Sequence, residues 1–413
     1  MQSPDRKTWV YLLAGAVYVF SVWEHIPYGG GHIYSDIISV FQNRFCPLGP
    51  CTTAIPYVHV FVEYPVVVGM LIYAMALFGR LIPLSANMDL LTNYYYYTAI
   101  FLAIPTFLTI RELFRLGELL GLKSGKRRTL LYFVATPSFV FMVLTNWYII
   151  GVFFALFGLR KFRLGSTWFA GVFFGLSAAT NLVTAMPALG MIFTSQNMRQ
   201  RVKFVLGAVI TVGVIYAPFL ALNPSFITRF FDYQANWYVE GSWMLVLFPS
   251  DNPLRHVLFP LAFILLSGAI LYKGFKVKMK VTKIEDWRSL TVMMAGMFSF
   301  AWLFSSYIST PQTNLMLLPY FTLLPIAFYP EFLVFDTANS LIDVWGFSQP
   351  LIIFGILLHP ADFGSPEQSP IQALEVIRSV WIGKFLIYDG LLRSKFLSGK
   401  IAPQLENRVV SSS

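Results

Sequence analysis

The chain has 413 residues, of which 56% are hydrophobic, 17% aromatic and only 12% charged, with a formal net charge of +10. A soluble domain usually carries about 25% charged residues, and a single soluble core stops growing near ~250–300 residues. The composition therefore excludes an ordinary water-soluble globule and points to a bilayer as solvent.

In chain order, residues 9–23 are the first apolar stretch. No small-residue cleavage site follows, so they are expected to form an anchoring helix rather than a removed signal. Further spans, each needing about 20 mostly apolar residues, are expected over 64–83, 91–110, 129–144, 146–160, 166–195, 204–222, 257–272, 289–307, 313–330, 340–359 and 371–391. The fold class is thus all-α: a polytopic transmembrane bundle of roughly 10–13 membrane helices, with 1–413 as one transmembrane domain.

Basic clusters separate the spans: Arg111 to Arg128, Arg160-Lys161-Phe162-Arg163, Arg199 to Lys203, Lys273 to Lys283 and Arg393 to Lys400. They fit short cytoplasmic loops under the positive-inside rule. Nucleic-acid binding needs a contiguous basic face, and these runs are split by apolar spans. If 64–83 and 91–110 both crossed, the basic stretch 111–128 would fall outside. Segment 64–83, with Pro65 at its start and Pro83 at its end, is therefore expected to be re-entrant. Segment 166–195 has basic loops on both sides and carries Asn181 and Pro187, so a pair of short helices is expected there. The run Tyr94 to Tyr97 is expected at the interface as an aromatic belt. Asn146, Thr180 and Asn181 are expected to bond between helices.

This topology leaves two long loops, 24–63 and 223–256, and a short turn, 305–312, on the outer face. The first loop holds Glu24, His25, His32, Asp36 and Glu63. A carboxylate at a membrane interface is partly desolvated, which lifts its pKa toward the range of a general base. Gly29-Gly30-Gly31 lacks the Lys-Ser/Thr of a nucleotide loop. Cys46 and Cys51 are compatible with a disulfide or with two free thiols, and are too few for a structural zinc site. The second loop interleaves aromatics with Arg229, Gln234, Glu240, Ser242, Trp243, Arg255 and His256. Such a surface suits sugar recognition, and an arginine there can grip a phosphate. An interfacial belt of Trp and Tyr with snorkelling Arg has the same composition. The turn opens a late helix with Ser309-Thr310-Pro311-Gln312-Thr313-Asn314, and polar groups at membrane depth are usually functional or tied into packing.

With these residues in view, the chain resembles the GT-C superfamily of polytopic glycosyltransferases. It is most similar to polyprenyl-phosphate-mannose-dependent mannosyltransferases of the mycobacterial type and to the catalytic subunit of GPI mannosyltransferase I. The likeness covers residues 9–330; 331–413 would add C-terminal membrane helices. It rests on Tyr34-Ser35-Asp36, Glu63-Tyr64-Pro65, Glu240-Gly241-Ser242-Trp243, and Ser309-Thr310-Pro311-Gln312 running to Leu318-Pro319. Where the family often has an Arg, this chain has Tyr233 to Trp237. Where the family often has a Lys, it has Thr180-Asn181.

The resemblance implies an inverting transfer of a hexose, expected to be mannose, from a polyprenyl-phosphate donor to a lipid or glycan acceptor. Localisation would be the cytoplasmic membrane, with the site on its outer face among membrane lipids. Asp36 would be the catalytic base and Glu63 the reserve. Tyr64, Gln234, Glu240, Ser242, Trp243 and Gln312 would line the substrate site, and Arg229, Arg255 and His256 would hold the donor phosphate. No cofactor, nucleotide or metal is implied. Two other classes fit the composition: a non-catalytic membrane subunit on the same scaffold, and a transporter or lipid flippase.

Overall fold

A computed structural model describes residues 6–28, 33–47, 51–278, 284–324, 327–346 and 370–392. Gly29 to His32, the run Met279 to Lys283, most of the expected span 340–359, and the basic run Arg393 to Lys400 lie outside the described residues. Among the described residues the regular elements are helices, and β-pairing is limited to two isolated bridges, so the class is all-α.

Helices α1 (Arg6–Glu24) and α4 (Leu90–Leu119) run antiparallel. Lys7 at the start of α1 pairs with Glu118 at the end of α4 at 2.8 Å, and Tyr95 near the start of α4 donates to the Val22 carbonyl at 2.6 Å. α2 (Asp36–Phe45) packs on the start of α4, with Phe41 stacked on Tyr94 at 4.0 Å. Tyr94 and Tyr95 are fully buried, so this part of the tyrosine run is core packing, not a surface belt. α3 (Val66–Leu81) begins beside Tyr64 and ends at Ile82, whose carbonyl accepts from the Tyr97 hydroxyl at 2.5 Å. Its C-terminal end thus lies at the start of α4, and α4 then returns the chain to Lys7.

The expected span 129–144 is broken. It comprises the end of α5 (Gly125–Thr129), a π-helical turn over Leu130–Val134, and α6 (Pro137–Met142). Pro137 has no N–H to continue a helix and holds the residue before it extended; Thr136 has φ −120° and ψ 141°, and its hydroxyl caps the Phe139 amide at 3.1 Å. α7 (Tyr148–Arg163) follows. Segment 166–195 splits, as expected, into α8 (Thr167–Thr180) and α9 (Pro187–Thr194) with a 3₁₀ turn between them. Extended Asn181 ends α8, and its side chain accepts from the Val183 amide at 2.9 Å.

Next come α10 (Met198–Leu222), α11 (Ser225–Asn236), α12 (Arg255–Lys278) and α13 (Ile284–Ser305). The expected span 313–330 is instead a 3₁₀ turn over Pro311–Met316 and the short α14 (Leu318–Leu323). The last carbonyls of a helix lack internal partners; here Arg128 covers those of Phe321, Thr322 and Leu324 at 2.5–2.7 Å, which fixes the stop. α15 (Tyr329–Gly346) starts earlier than the expected 340, and α16 (Pro370–Gly383) runs into a π-helical turn over Lys384–Leu392. Among the described residues, α10 and α12 are the helices both long and apolar enough to cross a membrane, and only 11% of each apolar window is buried within the protein. Most other expected spans are shorter or interrupted.

Candidate active site

Asp36 opens α2. Ser35 before it is extended, and its hydroxyl donates to the carbonyls of Leu144 and Thr145 at 2.9 and 3.2 Å. The Ile37 amide also donates to Thr145, so the start of α2 is pinned to the turn after α6. The Asp36 residue is 8% exposed. Its carboxylate accepts from Tyr34 at 2.7 Å, from Tyr64 at 2.6 Å and from the Gln312 amide at 3.1 Å. Three segments far apart in sequence therefore meet on one carboxyl group. Burial pushes its pKa above the ordinary aspartate range; the hydrogen bonds from Tyr64 and Tyr34 and the nearby Asn146 amide pull it back, and the Glu63 charge raises it again.

Tyr64 is held from below. The Tyr57 hydroxyl donates to the carbonyls of Tyr64 and Pro65 at 2.7 and 2.9 Å, and Trp147 meets the Tyr64 ring edge-on at 4.9 Å. Gly69 is required for this: a Cβ there would run into the Tyr57 ring and hydroxyl. The adjacent residue, Glu63, faces the other way. Its carboxylate takes two hydrogen bonds from Arg44 at 2.9 and 3.3 Å, and its carbonyl accepts from Gln234 at 3.3 Å.

Glu240 approaches from the second loop. Its backbone pairs with the 307–309 segment: the amide donates to Tyr307 and the carbonyl accepts from Ser309, both at 2.8 Å. The carboxylate accepts from the Trp237 indole at 2.7 Å and is 8% exposed. Burial lifts its pKa to about 7; the Trp237 bond lowers it, the Asp36 charge raises it and Arg378 lowers it. The Asp36 charge thus disfavours ionisation of Glu240.

The remaining expected residues divide. Ser242 caps the 3₁₀ turn that follows it, and the Trp243 indole donates to the Phe304 carbonyl at 2.6 Å, so both shape the loop. Arg255 is buried and donates to the Asp251 carbonyl; His256 packs edge-on against Tyr307 at 5.6 Å; Arg229 is exposed on α11. None of these three side chains bonds either carboxylate.

Several residues at the site carried no functional expectation. Asn146, expected between helices, stands beside Asp36. Thr180 bonds the Leu176 carbonyl of its own helix, while Asn181 and Thr310 meet the Tyr148 hydroxyl close to both carboxylates. Behind the 311–316 turn lies a buried network. The Asn314 amide donates to Asp336 and Ser138, both at 2.9 Å, and Asn339 donates to the Pro311 carbonyl at 2.9 Å. A legible signal existed for it: Asp336, Asn339, Ser340 and Asp343 form one polar stripe at helical spacing, and all four are buried. Cys46 and Cys51 form a disulfide closing the loop after α2. Among the described residues, no three His, Cys, Asp or Glu side chains are grouped to hold a metal ion. Comparison with protein-family models, with curated proteins and with solved structures gave no match to this chain.

Proposed function

We propose that the chain is a polytopic membrane glycosyltransferase of the GT-C type that moves a hexose, expected to be mannose, from a polyprenyl-phosphate donor to a lipid or glycan acceptor. The observation that carries this reading is the convergence of Tyr64 and Gln312 on the buried Asp36 carboxylate. The three residues come from three of the motifs on which the family resemblance was drawn. A bilayer setting is supported by α10 and α12, whose apolar faces lack protein cover. A helix that is apolar all round is either buried or a membrane span.

Asp36 acts as general base. It takes the proton of the acceptor hydroxyl as that oxygen bonds to the sugar's anomeric carbon. The bond from that carbon to the phosphate oxygen breaks on the opposite face, and polyprenyl phosphate leaves with the electron pair. The result is inversion. Phosphate is a good leaving group, so no general acid is needed. Tyr34, Tyr64 and Gln312 keep the carboxylate aimed. The Trp147 indole N–H and the Ser309 hydroxyl are buried without a partner, and sugar hydroxyls would satisfy such groups.

The test is transfer of labelled mannose from polyprenyl phosphate to a membrane extract by purified protein in lipid, with Asp36→Asn in parallel. Label in a new product for the wild type alone is the expected result. Transfer by both proteins would move the base to another carboxylate, Glu240 first, since Glu63 is held by Arg44. Transfer by neither, with a polyprenyl-phosphate glucose donor also tried, would favour the non-catalytic subunit or the transporter.

A further inference from the structure

We infer that Arg378 of α16 is the positioning residue of this site: its buried guanidinium clamps the Glu240–Gly241 and Ser309–Gln312 segments together so that Gln312 meets Asp36. The clamp is read from geometry; its kinetic consequence rests on the glycosyltransferase reading.

Arg378 is 1% exposed. One terminal nitrogen donates to the carbonyls of both Gly241 and Ser309, and the other donates to the Asn339 side chain at 3.0 Å. Asn339 passes the contact on to the Pro311 carbonyl at 2.9 Å, one residue before Gln312. Gln312 then donates to Asp36 at 3.1 Å. The path from α16 to the proposed base is therefore four side chains and one backbone step, Pro311 to Gln312, with no gap.

A buried charge is costly unless it is paired and hydrogen-bonded. Here the hydrogen bonds to Gly241, Ser309 and Asn339 engage both terminal nitrogens, and Glu375, one helical turn earlier on α16, is near enough for its charge to favour the cation. The guanidinium contributes what an apolar residue or a lysine lacks, a rigid fork that takes several acceptors in fixed directions. Gly241 shows how tight the clamp is. Its φ is +64°, and a Cβ there would meet the Ser309 carbonyl and the Arg378 guanidinium. If the clamp served general stability alone, its loss would loosen the core everywhere. As a positioning device, its loss loosens two loops and one hydrogen bond at the site.

The experiment uses the full chain in lipid nanodiscs, with amide exchange followed by mass spectrometry and donor kinetics measured beside it. In Arg378→Met, exchange should quicken about tenfold over Gly241–Met244 and Ser309–Asn314 and stay unchanged in α7 and α8. kcat should fall about tenfold with the donor KM within about twofold. Arg378→Lys keeps the charge without the fork and should behave like Arg378→Met. Unchanged exchange in the two segments, uniformly faster exchange, or full rescue by lysine would each overturn the inference. If Arg378→Met does not fold, Gly241→Ala strikes the same clamp without removing the cation and should give the same two-segment exchange pattern. A wild type that transfers no sugar would defeat the functional reading, while the exchange pattern would still decide the clamp.

Discussion

Two carboxylates are buried in this fold, and their surroundings are opposite. Glu112, in the second half of α4 and with no exposed side-chain surface, faces Arg160, Arg115 at 3.3 Å and Arg111 at 3.4 Å. Asp36, at the start of α2, takes its hydrogen bonds from neutral donors, two tyrosines and one glutamine. Cations fix a carboxylate as an anion and engage its oxygens, which makes an anchor. Neutral donors shape a carboxylate but leave it able to accept a proton, which makes a base. Burial alone therefore does not mark a functional acid; the charge state of its neighbours does.

Exchanging each carboxyl for its amide would break this comparison most sharply. Glu112→Gln leaves the half-buried Arg160 beside a neutral group, and breaking a buried pair costs up to about 3–5 kcal/mol. Sugar transfer per folded molecule should be unchanged. Asp36→Asn should do the reverse. General-base catalysis contributes roughly 10²–10⁴-fold, so transfer should fall by that order. Because burial already disfavours the Asp36 anion, the neutral amide should leave thermal stability at pH 7 unchanged or raised. If Asp36→Asn instead unfolds the protein as Glu112→Gln does, both acids are anchors and the contrast is void.

A smaller effect is expected from Tyr64→Phe. The lost hydrogen bond is the leading interaction holding the Asp36 pKa down. Removing it should lift that pKa further. The base must be ionised to act, so the acid limb of kcat/KM should move to higher pH. Activity near neutrality should fall up to about tenfold and recover as pH rises. A pH-independent loss would mean that Tyr64 contacts substrate rather than tuning the base.

The sequence carried the polar centre of this site better than its frame. Asp36, Tyr64 and Gln312 were legible because each sits in a short motif beside proline or at a helix start, where local chemistry is distinctive. Glu63 was equally legible, yet it turned to Arg44. Which of two neighbouring residues faces inward depends on how α2 swings Arg44 across, and no local pattern encodes that. Hydropathy also read 129–144 and 313–330 as spans, because a window average does not register Pro137 or the Arg128 cap that ends α14. Arg378 was invisible for a different reason. Its partners include the backbone carbonyls of Gly241 and Ser309, which have no sequence signature, although the polar stripe on α15 marked the neighbourhood.

Glu240 stands between the two extremes: its hydrogen bond comes from a neutral indole, yet Arg378 lies near enough to be felt. Its pKa of about 7 in the folded state exceeds that of an ordinary glutamate at 4.5. Below pH ~4.5 both states hold the proton, and the folded protein has the full benefit. As pH rises from there to about 7, the unfolded chain releases its proton first, so stability drains away. At about 1.4 kcal/mol per pKa unit, the full loss is on the order of 3 kcal/mol. Glu240→Gln should flatten that part of the melting temperature profile and leave the variant more stable than the wild type above neutrality. The slope that remains is shared by Asp36 and the other buried carboxyls with raised pKa values, Glu24 among them, and should fall further in the double variant with Asp36→Asn. If the single Glu240→Gln change leaves the slope intact, Arg378 compensates the buried charge fully, and Glu240 belongs with Glu112 among the anchors.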